Sequence, residues 1–469
     1  MKKIFITFLV TATIACTKTG VETITPMAEV KSTKASAISV VSKKYYVDPT
    51  FTGTSIGTIT APFKTIAEVN SKMNTFVAGD SILFKRGTTF SNQSQLTIKQ
   101  SGVSGKPIVF GAYGIGVRPV FDYKIGVAIL FNNVSNVVFS GIRVTDNTAA
   151  GLTDKVTMAN VKYGIILANS PNCRIEYCEF IKVGNAIALE GTSDYTTILN
   201  NTFLDLKMVR NTIGGEDDYG ANGVTVGSSY NTITKNFFQD CYGQSYDFGN
   251  DGGAIEFYGN NVSNNTITYN VSKQNVGFLE AASETIGGTL INNVVAYNVM
   301  INNAGSLGVI HNQTMAQCNF NYYNNTIVET ANTLHPSNSM FWMGKKVGIT
   351  NSSLVVKNNI FYTLTTTQIY PTAWVGSGYL NYLDVPAIVR SNNIYRTSNS
   401  NIGAKLNNSE YSNSTILLFK NTLTHPNSWD LNLLSGCKAV NFGTNLGMIK
   451  DINGKTIVGA PDAGAYELK

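Results

Sequence analysis

The sequence predicts an all-β solenoid, and three observations carry that prediction. A short unit of strand, asparagine and strand recurs through the middle of the chain. The spacing between its copies varies, as it does when coils of one basic size carry loops of different length. The composition suits β-structure: of 469 residues 43% are hydrophobic and 14% charged, with 42 glycines and 53 asparagines against 11 prolines. Globular chains carry about 25% charged residues, so a coiled coil or helical bundle, rich in Ala, Glu, Lys and Leu, is excluded. Plentiful Val, Ile, Leu and aromatic residues exclude wholesale disorder. The formal charge of +6 is weak for this length, and no Lys/Arg run concentrates it. No nucleic-acid partner is therefore expected.

At the N-terminus Met1, Lys2 and Lys3 form a basic start, and residues 4–15 are an apolar stretch. That is too short to span a bilayer and the right length for a signal-peptide core. Thr13-Ile14-Ala15-Cys16 resembles a bacterial lipobox, although the pattern prefers Leu or Val where Thr13 stands. The resemblance implies a lipoprotein-type signal peptide over residues 1–16 with Cys16 lipidated. It further implies a bacterial outer-membrane lipoprotein on the cell surface or the periplasmic face. Ordinary signal-peptidase cleavage with loss of Cys16 is the alternative. Residues 17–44, rich in Ser, Thr, Lys and Ala and lacking aromatics, read as a flexible tether. The remaining cysteines, Cys173, Cys178, Cys241, Cys318 and Cys437, are odd in number and match no zinc spacing. Cys173, Cys178 and Cys318 lie in apolar segments and read as small hydrophobes.

The repeating units fall at 175–180, 198–203, 233–238, 267–271, 294–299, 320–327, 356–361 and 390–395, with 138–142 opening the series. Taking the residue before the second strand as marker gives Gly141, Cys178, Asn201, Asn236, Asn270, Asn298, Asn325, Asn359 and Asn393. The steps are 37, 23, 35, 34, 28, 27, 34 and 34 residues. Period-two alternation inside each strand turns one face into the coil. At the marker a sharp turn needs positive φ, which Gly and Asn tolerate best. Stacked Asn side chains can also hydrogen-bond from coil to coil.

This pattern resembles the right-handed parallel β-helix of the pectate-lyase-like superfamily across residues 45–469. The resemblance implies a single-stranded right-handed parallel β-helix with a short N-terminal capping helix and an irregular C-terminal segment, acting as a monomer. Tyr45-Tyr46-Val47-Asp48-Pro49 followed by Ala61-Pro62-Phe63-Lys64-Thr65-Ile66 resembles the opening of such domains. Ile66, Val69 and Met73 share one helical face, with Pro62 near the helix start. That helix covers the open end of the first coil, an edge otherwise free to pair. Ala78-Gly79-Asp80-Ser81-Ile82-Leu83-Phe84 reads as a turn into the first strand. Pro461-Asp462-Ala463-Gly464-Ala465-Tyr466-Glu467 resembles the closing segment of bacterial β-helix proteins.

Function on a solenoid resides in inserted loops and on one exposed strand face. The long steps place loops at 205–222 and 239–253, at corresponding places on adjacent coils, where they should stack into one wall. Seven acids stand between Asn211 and Ser272 with Lys235 the only base, a local balance of −6 in a chain of +6. Crowded carboxylates are costly unless a cation or a shared proton compensates; a solvated acidic loop pair is the plain alternative. In Ala254-Ile255-Glu256-Phe257-Tyr258 the apolar residues alternate inward, so Glu256 and Tyr258 face out. Gly277-Phe278-Leu279-Glu280 brings Glu280 to a similar place one coil on, and Gly308-Val309-Ile310-His311-Asn312 does so for His311. Ala188-Leu189-Glu190 supplies Glu190 from the preceding coil. Asp251, in Asn250-Asp251-Gly252-Gly253, sits at a turn at the mouth of the Glu256 strand. Asp251, Glu256, Glu280 and His311 are the candidate catalytic residues. Glu190 and Asp247 are candidate substrate contacts, with Tyr242, Tyr246, Tyr258 and Trp342 as rings for stacking on sugars. Trp342 reads equally well as core. Glu216, Asp217 and Asp218 offer the oxygens that calcium takes, so Ca²⁺ is a candidate cofactor.

A carboxylate pair about 5 Å apart suits a retaining glycosidase and one about 6.5–9.5 Å apart an inverting one. One acid needs a raised pKa to protonate the leaving oxygen. The family resemblance implies a polysaccharide substrate. A lyase needs the substrate carboxylate neutralised, often by Ca²⁺, and a base. An anionic wall repels a uronate chain unless calcium intervenes, with His311 or Tyr258 then as base. The Asn-Gly-Asn-Glu segment of the alginate-lyase and chondroitinase-like families and the Gly-His-Gly segment of polygalacturonases are absent. The residues favour an envelope-anchored glycoside hydrolase on a neutral or cationic glycan. A Ca-dependent polysaccharide lyase is the second reading, and a non-catalytic glycan-binding or adhesin β-helix the third.

Overall fold

A computed structural model of the chain describes residues 41–149, 157–303, 308–311, 315–329, 341–343, 353–363, 372–375, 378–381, 388–397, 406–422 and 426–468. Cys16 and the signal segment lie outside them. Ser42–Lys469 is one compact unit. Among the described residues, three long sheets of 13, 12 and 11 strands run along a right-handed parallel β-helix. Each coil lays one strand in each sheet. Arg174–Glu176, Glu179–Ile181 and Asn185–Glu190 stack in parallel on Val137–Ser140, Arg143–Thr145 and Tyr163–Ala168. The alternation read from the sequence sends the apolar side chains inward. Phe180, Phe203 and Phe238, from successive coils, stack at centroid distances of 5.3 and 4.5 Å. The five described cysteines are free, and four of them are buried.

The turn between the first and second sheets holds the coils in register. Asn201, Asn236, Asn270, Asn298, Asn325, Asn359 and Asn393 form a buried column. Each of the first six backbone amides donates to the next Oδ1 at 2.8–3.0 Å, and each Nδ2 to the same oxygen at 3.0–3.1 Å. The column thus satisfies the donors that a tight buried turn would strand. The expectation that the marker itself takes positive φ is corrected. The left-handed residue stands one place earlier, at Tyr177, Asn200, Lys235, Tyr269, Tyr297, Asn324, Asn358 and Asn392. The opening marker shifts for the same reason. Gly141 (φ +72) holds the left-handed place, and Val138 pairs with Arg174, so Ile142 aligns with Cys178. Two shorter columns, Asn231–Asn265–Asn293 and Asn275–Asn303, brace the other turns.

The N-terminal end is covered by a helix. The helix Ile66–Lys72 starts at Thr65, whose side chain accepts from Glu68 N, and it buries Ile66 and Val69. Its Asn70 covers a sheet edge: Nδ2 donates to Gln95 O at 2.7 Å, and Oδ1 accepts from Thr97 N at 3.1 Å. The first strand is Lys44–Val47, and Ser81–Lys85 pairs with it as the second rung, which corrects the reading of 81–84 as the first. The irregular C-terminal segment lies along the flank. Asn358 exchanges hydrogen bonds with Thr444 at 2.8 and 3.0 Å, Asn392 Nδ2 reaches Phe442 O at 2.9 Å, and Asn324 Nδ2 reaches Asp462 O at 2.9 Å.

Replacing Asn270 by Ala strands two buried donors and an acceptor. It is expected to lower the unfolding free energy by about 1–3 kcal/mol, read as a lower denaturant midpoint. Lys235→Gly, at a left-handed residue (φ 56), is expected to leave the midpoint unchanged or raise it.

Candidate active site

Both long insertions leave the solenoid between the second and third sheets, on adjacent coils. Each folds as an antiparallel hairpin: Met208–Arg210 with Tyr219–Gly220, and Gly243–Ser245 with Gly249–Asp251. They stack, as the spacing predicts. Asn211 Nδ2 donates to Gln244 O at 2.8 Å, Tyr246 N to Asn211 Oδ1 at 3.2 Å, and Asp217 N to Asp247 Oδ2 at 3.0 Å. Gly252 (φ +107) returns the second hairpin to its coil. A Cβ there would stand 2.7 Å from Ala221 Cβ, so only glycine allows this close approach.

The third sheet and this wall border a groove of about 950 Å³. Glu256, on Gly253–Tyr258, is the register partner of Glu280, on Leu279–Ala282. Ile255 and Phe257 are buried, while Glu256 faces the groove and Tyr258 is exposed. Asn222 Nδ2 donates to Glu256 Oε2 at 2.6 Å, and Thr225 Oγ1 lies 3.4 Å from the same oxygen. His311 Nε2 lies 2.7 Å from Glu280 Oε1. Burial, and then the Glu280 and Asp251 carboxylates, push Glu256 up to about 8. Burial, and then Glu280, raise Asp251 to about 7. Glu190 is raised by burial and by Glu284. Four candidates thus act on one another, and two of them favour the neutral acid near neutral pH.

The structure corrects several placements. His311 is not the register partner of Glu280; Val309 is, so His311 stands two residues further along and reaches back diagonally. Glu190 does not share the Glu256 column either. Ala188 pairs with Thr225, and Thr225 with Glu256, which puts Glu190 two residues along. Asp251 belongs to a paired hairpin strand rather than a loose turn. Tyr242 is buried, its hydroxyl donating to Asn250 Oδ1 at 3.1 Å. Tyr246 is exposed, but neither tyrosine lines the groove, and Asp247 does not line it. In their stead Phe248, Tyr163 and Tyr219 present rings there, with the two tyrosine hydroxyls 3.5 Å apart. Trp342 pairs with Val309 and Trp374 through its strand; its side chain lies outside the described residues. Asn185, Asn222, Thr225 and Glu284 carry no motif in the sequence, and because the hairpins intervene, the pairing of Asn222 with Gly253 matches none of the repeat steps.

The acids considered for calcium are rearranged as well. Asp217, Asp218 and Asp247 place oxygens within 4.8 Å of one another, while Glu216 stays outside this group as an exposed groove residue. Calcium takes six to eight oxygens, but these are largely committed. Asp218 accepts from Thr212 N at 2.6 Å, Ser245 Oγ at 2.7 Å and Asp247 N at 3.1 Å. Burial alone would raise Asp218, yet the bonds from Ser245, Thr212 and Asp247 outweigh it and hold the carboxyl below its usual range. Asp217 is ion-paired with Arg210. This set fits a hydrogen-bonded clamp between the hairpins better than a calcium cage.

The fold and the groove define a right-handed parallel β-helix protein of pectate-lyase-like architecture. Residues 76–261 match the family model described as right handed beta helix region. A pectate lyase structure aligns at 17% identity over 91% of this chain and 96% of its own, with a TM-score of 0.56. A rhamnogalacturonan lyase aligns at 16% identity over 75% of this chain and 87% of its own, with a TM-score of 0.50. At such identities the likeness is one of fold. No curated protein sequence matches the chain significantly.

Acids with raised pKa values make the fold less stable as pH rises. Well below their ordinary values of 3.8 for Asp251 and 4.5 for Glu256, both groups are protonated whether folded or not. Above those values the unfolded chain releases protons that the folded chain keeps, and stability falls until the folded groups ionise near 7 and 8. Glu256→Gln should therefore be more stable than the parent at pH 8, with the difference nearly gone at pH 4. Thermal midpoints of the two proteins across that range check it.

Proposed function

We propose that the protein is a glycoside hydrolase acting on a polysaccharide, with Glu256 as proton donor and Glu280 as the ionised carboxylate. One observation carries the reading: two outward glutamates are register partners on adjacent coils, and their environments differ. Glu256, pushed up to about 8, stays protonated at neutral pH. Because Asn222 Nδ2 occupies Oε2, its proton sits on Oε1. Glu280 instead faces His311, whose Nε2, when it carries the proton, donates to the carboxylate. Neighbouring strands lie about 4.8 Å apart, nearest to the separation of retaining enzymes. In that scheme Glu256 gives its proton to the glycosidic oxygen as the bond to the anomeric carbon breaks. Glu280 adds to that carbon, and Glu256 then takes a proton from the water that releases the sugar. Asp251, itself raised to about 7, adds to the negative charge beside Glu256 only as it ionises, and so reinforces what burial and Glu280 already do. Tyr258 and Phe248, both exposed at the groove, offer faces for sugar rings.

The expected anchoring through Cys16 at the cell envelope belongs to this proposal and rests on the sequence. Cys16→Ala should move the protein from the detergent phase to the aqueous phase on phase partition of expressing cells. Partition unchanged by the substitution would remove the anchor.

Incubation with a panel of polysaccharides should release reducing ends without the ultraviolet band of an unsaturated uronide. That band would make the protein a lyase, and retention on immobilised glycan without cleavage would make it a binding module. Glu256→Gln and Glu280→Gln should each lower kcat by about 10²–10⁴-fold with the fold intact. Activity should also fall as pH rises past about 8, where Glu256 loses its proton. Full activity in either variant would dismiss that residue from the mechanism.

A further inference from the structure

We propose that the groove takes a polysaccharide bearing free amino groups, a polycationic amino-sugar chain. Its ammonium groups would meet Glu190 and Glu284 at one end of a strand and Asn185 at the other. The proposal deepens the glycosidase reading, though the binding it describes does not depend on cleavage. Seven carboxylates line the groove, against no lysine or arginine and the single histidine His311. Arg210 offsets one of them, at Asp217. A chain whose formal charge is +6 has thus gathered the opposite sign into this groove. Such a surface concentrates cations and repels uronates.

An independent observation points the same way. Asn185 lines the groove and is only 4% exposed, and its Oδ1 has no hydrogen-bond partner among the described residues. A buried acceptor without a donor is costly, and nothing on the neighbouring coil relieves it. Asn222 Nδ2 is engaged by Glu256. Asn185 and Glu190 are the two ends of Asn185–Glu190. At about 3.3 Å per residue they lie roughly 16 Å apart, room for several sugar rings. At the Glu190 end, burial and the facing Glu284 disfavour the ionised form. Among the described residues Glu190 has no ion-pair partner, and Glu284 meets only the Asn260 amide, at 3.5 Å. An ammonium between them would relieve both carboxylates. A uronate would add to the repulsion, and an N-acetyl group would leave it as it is.

The test is calorimetric titration of the full chain at pH 6 with three oligosaccharides: a glucosamine hexamer, its fully N-acetylated counterpart and an oligogalacturonate. The glucosamine hexamer should bind at least about tenfold more tightly than either of the others, and added salt should weaken it. The double variant Glu190→Gln, Glu284→Gln should lose that preference at a thermal midpoint no lower than the parent's, and Asn185→Ala should weaken the amine oligomer more than the acetylated one. Equal or tighter binding of the acetylated or uronate oligomer overturns the proposal, as does a preference that survives the double variant. Heat on adding Ca²⁺ alone, without any preference for the amine, assigns the acids to an ion and overturns it too. Amine-selective binding without cleavage sinks the hydrolase reading and leaves this one. Cleavage of a neutral glycan without amine selectivity does the reverse.

Discussion

The asparagine column between the first and second sheets is the interaction on which the rest depends. A parallel β-helix closes no barrel and carries few long-range locks, so each coil could slide on the next but for features that fix its place. A slip of one residue would send every inward side chain out. Asn201 through Asn393 prevent this by tying each turn to the next through both a backbone amide and a side chain. The column is independent of insertion length. Steps of 23 to 35 residues end at the same bond, so loops grow on one side of the solenoid while the other stays in register.

That separation allows the groove to be electrostatically expensive. Glu256, Glu280 and Asp251 are held together by strands and a hairpin whose stability is set elsewhere, in the phenylalanine stack and the asparagine columns. The carboxylates therefore cannot part to relieve their repulsion, and protons are retained instead. Functional sites commonly carry such unfavourable local interactions within a well-determined frame. The Asp217–Asp218–Asp247 group shows the contrast: its oxygens are satisfied by amides, Ser245 and Arg210, and it serves the wall rather than the chemistry.

The solenoid was legible because its repeat is written in residue types with few physical alternatives. The strand–Asn–strand units and all steps after the first agree with the pairing; the first is 36 rather than 37 because Gly141 answers to the left-handed place. The side-by-side placement of Glu256 and Glu280 was legible from alternation and one coil step. What failed did so for identifiable reasons. Asparagine serves both positive φ and side-chain bridging, so a column of Asn does not reveal which task each performs. Tyr177, Lys235, Tyr269 and Tyr297 occupy left-handed places that composition gives no cause to suspect. His311 and Glu190 were shifted by two residues, a slip that preserves the outward face and escapes a pattern based on alternation. Tyr242 was misjudged because hairpins within insertions bury one face, and no repeat announces their pairing. Phe248, Tyr163 and Asn185 come from segments that carry no motif and reach the groove only through tertiary stacking.

The left-handed residues of the late coils have a consequence of their own. At Asn324, Asn358 and Asn392 the backbone bends outward, and the amide heads grip the trailing segment at Asp462, Thr444 and Phe442. A solenoid is most vulnerable at its last rung, where nothing waits to be stacked upon. Here the tail runs back across three rungs like a splint, so the terminal coil cannot fray without the splint first detaching. Unwinding from that end then becomes a concerted event over three coils rather than a rung-by-rung loss.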